Sequence, residues 1–218
     1  MREPTLPDPA ALDRVPVREG YDGADYYALM TRALHQILLE QGLLAPEDTD
    51  RVIAALEAPR PEWGARLVAR AWVDPAFKAR LLADGSAAAA ELGFTIKEAR
   101  LVAVENTADL HNLIVCTLCS CYPRSLLGQP PWWYISKAYR ARAVREPRAV
   151  LKEFGVDLPD SVRVRVHDSN ADMRYLVLPR RPEGTDGADE ADLARFVTRD
   201  SMIGTAHADI RAGLAKPA

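Results

Sequence analysis

A chain of 218 residues with a formal charge of -3 and 48% hydrophobic residues can bury a real core, and that balance offers no basic face for nucleic acid. No apolar run approaches the roughly 18 residues of a membrane helix. Residues 1–16 lack the basic start and apolar stretch of a signal peptide, so the reading is a soluble, cytoplasmic protein with no nucleic-acid and no membrane partner.

Residues 1–23 read as an extended arm with too little apolar content to fold alone. A helix is expected over 25–41, where Tyr26, Met30, Ala33, Leu34, Ile37 and Leu38 form one stripe, with Gly42 as its stop. Pro46, Glu47 and Asp48 open a second helix with Val52, Ile53 and Leu56 on its buried side, ended by Pro59 and Pro61. Further helices are expected over 62–73, 75–83 and 86–92, with Asp74 and Ser86 as N-caps and Gly85 and Gly93 as stops. The texture then changes. Residues 100–105, 110–116, 162–167 and 174–178 read as strands. Helices are expected over 147–154, closed by Gly155, and last over 188–197, after a polar connector at 180–187. The fold class is therefore α+β, with a helical, partner-wrapping N-terminal region at 1–93 and a mixed domain at 94–218.

The sequence holds three cysteines, all in the loop that follows the apolar run Leu113-Ile114-Val115: Cys116-Thr117-Leu118-Cys119-Ser120-Cys121. Thiols packed this closely in a cytosolic chain point to metal or redox chemistry, not to a disulfide framework. A sulfur-only zinc site wants four cysteines, and a Cys-x-Cys pair strains a tetrahedron. The same closeness brings the amides of Ser120 and Cys121 beside the metal. If both lose their protons, three sulfurs and two nitrogens leave one position open, a donor set that suits a trivalent transition metal and Lewis-acid work. A thioredoxin-like Cys116-x-x-Cys119 pair and buried structural thiols remain the alternatives.

The stretch Val115 to Tyr122 resembles the metal-binding motif of the nitrile hydratase α subunit. Further likeness lies in Ala69-Arg70-Ala71-Trp72-Val73-Asp74-Pro75, Glu105-Asn106-Thr107, Arg174-Tyr175-Leu176-Val177-Leu178-Pro179 and Thr198-Arg199-Asp200-Ser201, within roughly 28–204. The resemblance implies a layered α/β/β/α metal-binding domain and a lyase that hydrates small nitriles to amides. It implies metal ligands Cys116, Cys119, Ser120 and Cys121, with Cys119 as a sulfinic acid and Cys121 as a sulfenic acid. Cys121 then acts as nucleophile or base, and Arg174 falls where the family has an arginine near the metal. Thr117 and Tyr122 match the cobalt-type pattern, so one Co(III) per chain is expected over iron. The implied partners are a β subunit, which completes the active enzyme, and a metal-insertion activator protein.

Three positions depart from the pattern. Arg124 and His167 stand where tryptophan is common, and Gln129 where leucine is common. Arg124 and Gln129 instead resemble the γ subunit of thiocyanate hydrolase, which makes that enzyme the second reading. A non-catalytic metal or thiol binding module is the reading of another class. His111, five residues before Cys116, is expected to be structural, and His167 to pack or hydrogen-bond at a strand end. Trp132, Trp133 and Tyr134 are expected at an interface or along a substrate channel, and Arg140, Arg142, Arg145 and Arg148 on a solvated or partner-facing helix side.

Overall fold

A computed structural model describes residues 23–211. The extended arm expected at the N-terminus lies outside them, save its last residue. The chain divides into two compact units, one ending at Ile53 and one beginning at Ala54.

The first unit carries helix α1 (Gly23–Glu40) and most of α2 (Pro46–Glu57). Glu47 and Asp48 sit in the first turn of α2, where the N-terminal partial charge favours acid. The Asp48 carboxylate also accepts from the Ala45 amide at 2.8 Å. Both helices have the periodicity read from the sequence, but the expected burial fails. No residue of α2 is buried, and Val52, Ile53 and Leu56 are exposed. Along α1, Leu29, Met30, Leu34 and Ile37 are exposed too. An apolar stripe specifies that a face wants covering; it does not specify by what.

The second unit continues with α3 (Pro61–Val73), α4 (Pro75–Ala83) and α5 (Gly85–Glu91). Asp74 caps α4 as expected, accepting from the amides of Ala76 and Phe77 at 3.0 Å each. The next cap differs from expectation. Asp84, not Ser86, accepts from the amides of Ser86 and Ala87, so Gly85 opens α5 instead of stopping α4. The Ser86 hydroxyl is used elsewhere, accepting from the Leu101 amide at 2.8 Å.

Strands β1 (Arg100–Glu105) and β4 (Met173–Leu178) form one parallel pair, and β2 (Leu110–Val115) and β3 (Arg163–Asp168) another. Between β2 and β3 run the short helices α6 (Arg124–Leu127) and α7 (Trp132–Ile135), then α8 (Lys137–Arg145) and α9 (Pro147–Glu153). After β4 come α10 (Glu190–Ala194) and α11 (Arg199–Ile203). Helices α4, α5 and α11 pack on the β1–β4 pair, α8 and α9 on the β2–β3 pair, and the two pairs face each other. The unit is thus an α/β/β/α stack, α+β in class, as expected. Leu101, Leu113, Ile114, Val115, Leu176 and Val177, all fully buried, fill the middle.

Two contacts fix the stack near its end. The Trp72 indole donates to the Pro179 carbonyl at 2.9 Å, tying α3 to the exit of β4. Gly204 closes α11 at φ +89°, and a Cβ there would collide with the Asn112 carbonyl oxygen, so the end of the last helix abuts the backbone of β2. Among the described residues no helix is long and apolar enough to cross a membrane.

Candidate metal centre

The cysteine loop begins where β2 ends. Val115 and Cys116 are fully buried, while Thr117, Leu118 and Cys119 are exposed, so the chain emerges from the core at its first cysteine. The three sulfurs come together, all within 4.8 Å of one another. Cys116 Sγ and Cys119 Sγ are 3.6 Å apart, Cys119 Sγ and Cys121 Sγ 3.2 Å, and the Cys119 amide donates to Cys116 Sγ at 3.3 Å.

These spacings test the donor set. Two sulfurs about 2.3 Å from one metal stand about 3.8 Å apart at the tetrahedral angle and about 3.3 Å apart at a right angle. The Cys119–Cys121 separation fits the right angle, and the other falls between the two. The three sulfurs therefore stand close enough to share one metal ion, with one separation at the right-angle value and one nearer the tetrahedral value.

Electrostatics singles out Cys119. Hydrogen bonds from the Cys121 and Cys116 thiols, and then from the Ser120 amide, lower its thiol to about 7. Burial, followed by the neighbouring thiols, pushes Cys121 up to about 12, with the Arg174 charge pulling the other way.

Side chains far away in sequence hold the loop. Asp168, at the end of β3, accepts from the Thr117 amide at 2.9 Å and the Thr117 hydroxyl at 2.6 Å. The parallel register that pairs Val115 with Asp168 puts it there. The buried Tyr134 hydroxyl donates to the Cys121 carbonyl at 2.8 Å, and Arg140 Nη1 to the Cys119 carbonyl at 2.8 Å. The buried Tyr139 hydroxyl donates to the carbonyl of Ile114, on β2 just before the loop, at 2.6 Å. The sequence offered no local signal for Asp168 or Arg140 as loop partners. Their roles arise from strand register and helix docking, which no short motif encodes.

Arg174, on β4, is half-buried and within charge reach of Cys121. Its Nη1 donates to the Met173 carbonyl at 3.2 Å and to the Asn170 carbonyl, while its Nε is buried without a partner. Arg124 opens α6 and is exposed, with no ion pair among the described residues. The other candidates fall out as follows. His111 is buried, donating from Nε2 to the Gly204 carbonyl at 2.7 Å, with Nδ1 3.4 Å from the Asn106 amide. His167 donates from Nε2 to Asn112 Oδ1 at 2.9 Å and lies against Tyr175. Both are structural, as expected. Of the aromatic trio, Trp132 is exposed, whereas Trp133 and Tyr134 pack with Tyr139.

A sequence profile of the family described as nitrile hydratase, alpha chain, matches residues 25–206. The chain belongs to that family. The high-molecular weight cobalt-containing nitrile hydratase subunit alpha of Rhodococcus rhodochrous is 48% identical over 84% of this chain and 91% of its own. The thiocyanate hydrolase subunit gamma of Thiobacillus thioparus is 42% identical over 83% and 79%. Among solved structures, a double histidine-to-alanine mutant of the Fe-type nitrile hydratase from Comamonas testosteroni Ni1 matches with a TM-score of 0.79 at 45% identity, over 89% of this chain and 95% of that one. For this nitrile hydratase α-family chain, then, relatives of cobalt type, iron type and thiocyanate-cleaving type all share the fold.

Proposed function

We propose that this chain is the metal-carrying α subunit of a cobalt nitrile hydratase, adding water across the C≡N bond of small nitriles to give amides. The observation that carries the proposal is the cluster of three sulfurs at the end of β2, close enough together to share one metal ion. Cys116, Cys119 and Cys121 would hold the metal through sulfur, and Ser120 and Cys121 through their backbone nitrogens. When bound, the metal supplies Lewis acidity in a position left open by those donors. Cobalt is favoured over iron because Thr117 and Tyr122 match the cobalt-type pattern; overall identity does not separate the two, with a cobalt-containing relative at 48% and an Fe-type one at 45%.

The chain's own residues do the rest. Asp168 and Tyr134 fix the two ends of the loop, so that its donors converge with little reorganisation. Arg174 lends positive charge beside Cys121, which steadies a sulfenate there. Cys121, so oxidised, serves as nucleophile or as base toward water, and Cys119 is carried as a sulfinate. The exposed stripes of α1 and α2 support a β-type partner that covers them and completes the active enzyme. A metal-insertion activator and a cytoplasmic site of action complete the proposal.

One observation favours a second reading. Arg124 is exposed beside the loop without a carboxylate partner among the described residues, and a fixed cation there attracts an anion such as thiocyanate more than a neutral nitrile. The test is a paired assay of the assembled enzyme, with metal analysis and peptide mass spectrometry. About one cobalt per chain, two added oxygens on Cys119, one on Cys121 and amide formed from a small nitrile are expected. Carbonyl sulfide and ammonia from thiocyanate, with negligible amide, would move the assignment to thiocyanate hydrolase. Three unmodified thiols in fully active enzyme would refute the oxidation states.

A further inference from the structure

Arg140 leaves helix α8 toward the cysteine loop and donates from Nη1 to the Cys119 carbonyl at 2.8 Å. Its Nε is buried without a partner, and no carboxylate pairs with it among the described residues. Arg142, two residues on, contrasts with it: that guanidinium is held by Glu146 at 2.6 Å and Glu153 at 2.5 Å. Arg140 therefore keeps its charge for the loop. It is also aimed from a fixed base. Ser136 caps α8 by accepting from the Tyr139 amide at 3.1 Å, and Tyr139 bonds the helix to the Ile114 carbonyl of β2, the strand that feeds the loop.

The Cys119 carbonyl and the Ser120 nitrogen belong to one peptide, a planar resonance unit. Two consequences follow. In a trans peptide the oxygen and the nitrogen substituent point in opposite directions, so an oxygen pinned toward α8 turns the Ser120 nitrogen away from α8. Negative charge placed on that nitrogen is also shared with the oxygen, where the guanidinium meets it. The neighbouring peptide, which supplies the Cys121 nitrogen, has no such donor on its Ser120 carbonyl among the described residues.

We propose that Arg140 is a positioning residue for the metal centre: it orients the Cys119–Ser120 peptide and offsets the charge of the Ser120 nitrogen as a metal donor. The inference rests on the ligand set proposed above, and it gives the two backbone nitrogens unequal support.

The test compares Arg140→Met, which keeps length but loses charge and donor, with Arg140→Lys, which keeps the charge, in the assembled protein made with cobalt. Cobalt retained against a chelator, the visible thiolate-to-cobalt absorption and the melting temperature are read together. Arg140→Met is expected to hold cobalt about tenfold or more weakly, the usual cost of losing a group that orients a ligand. Its absorption band should shift, and Arg140→Lys should recover most of both. Should Arg140→Met not fold, the same contrast is read between Arg140→Lys and Arg140→Gln. A lower melting temperature with unchanged cobalt retention and an unchanged band would mean that Arg140 is merely structural, and would overturn the inference while leaving the ligand set intact. A wild-type protein holding zinc on its thiolates alone would overturn both.

Discussion

Replacing Tyr134 with phenylalanine isolates one bond of the metal loop. The ring is fully buried and packs edge-on to Tyr122 at 5.1 Å between centroids, and both contacts survive the change. What disappears is the hydroxyl that donates to the Cys121 carbonyl at 2.8 Å, and no other donor reaches that oxygen among the described residues. A net intramolecular hydrogen bond is worth about 1 kcal/mol, and a partly buried carbonyl left unpaired adds to the loss, giving about 1–2 kcal/mol in all. For a chain of this size that corresponds to a melting temperature lower by about 2–8 °C. The control is Tyr139→Phe, which removes a buried hydroxyl from the Ile114 carbonyl instead. Both variants should melt earlier in differential scanning calorimetry of the assembled, cobalt-loaded protein. Tyr134→Phe should lose more of its cobalt retention than Tyr139→Phe, because its bond lies inside the loop whereas Tyr139 acts on the loop only through α8 and Arg140. A Tyr134→Phe protein that melts with the wild type and keeps its cobalt as well would refute the claim that this hydroxyl steadies the loop.

Asp168→Asn should weaken cobalt retention about tenfold without unfolding the chain, since the Thr117 hydroxyl and amide lose their charged acceptor; metal content after dialysis against a chelator reads it. Gly204→Ala combines a left-handed φ of +89° with a Cβ that would collide with the Asn112 carbonyl, so soluble yield should collapse, and a normal yield would show that the end of α11 can move away from β2. His111 is held below the ordinary 6.5, chiefly by burial, so the unfolded chain takes up a proton that the folded chain refuses. Its contribution to stability is full above about pH 6.5 and is lost as pH falls below it. His167 and His207 are lowered by burial in the same direction, so melting temperatures of His111→Gln between pH 7 and pH 5 should fall less steeply than those of the wild type, not stay level.

Much of the chain was legible because local rules decide local structure. Asp74 as a cap, the strand runs and the sulfur cluster all follow from a few neighbouring residues. Expectation failed where a choice between neighbours was close, as with Asp84 over Ser86. It also failed where a helix was too short to show a period: α6 and α7 span four residues each and α11 five. Burial of Val52, Ile53 and Leu56 was misread because amphipathicity names a face, not its cover. The supports of the metal loop were hidden for another reason. Asp168, Tyr134 and Arg140 each reach the loop from a separate element, and each would look like an ordinary strand-end acid, core aromatic or surface cation if read alone.

The distance in sequence between Thr117 and its anchor Asp168 also sets a schedule. The thiols leave the ribosome first, and the strand that braces them follows 51 residues later. At roughly 5–20 residues per second, that is an interval of about 3–10 s in every round of synthesis. During it the three cysteines follow a strand whose parallel neighbour does not yet exist. A soft metal or an oxidant met in that interval encounters three thiols whose loop still lacks its Asp168 brace. For a metal-carrying chain, correct loading would then be a matter of timing as well as affinity.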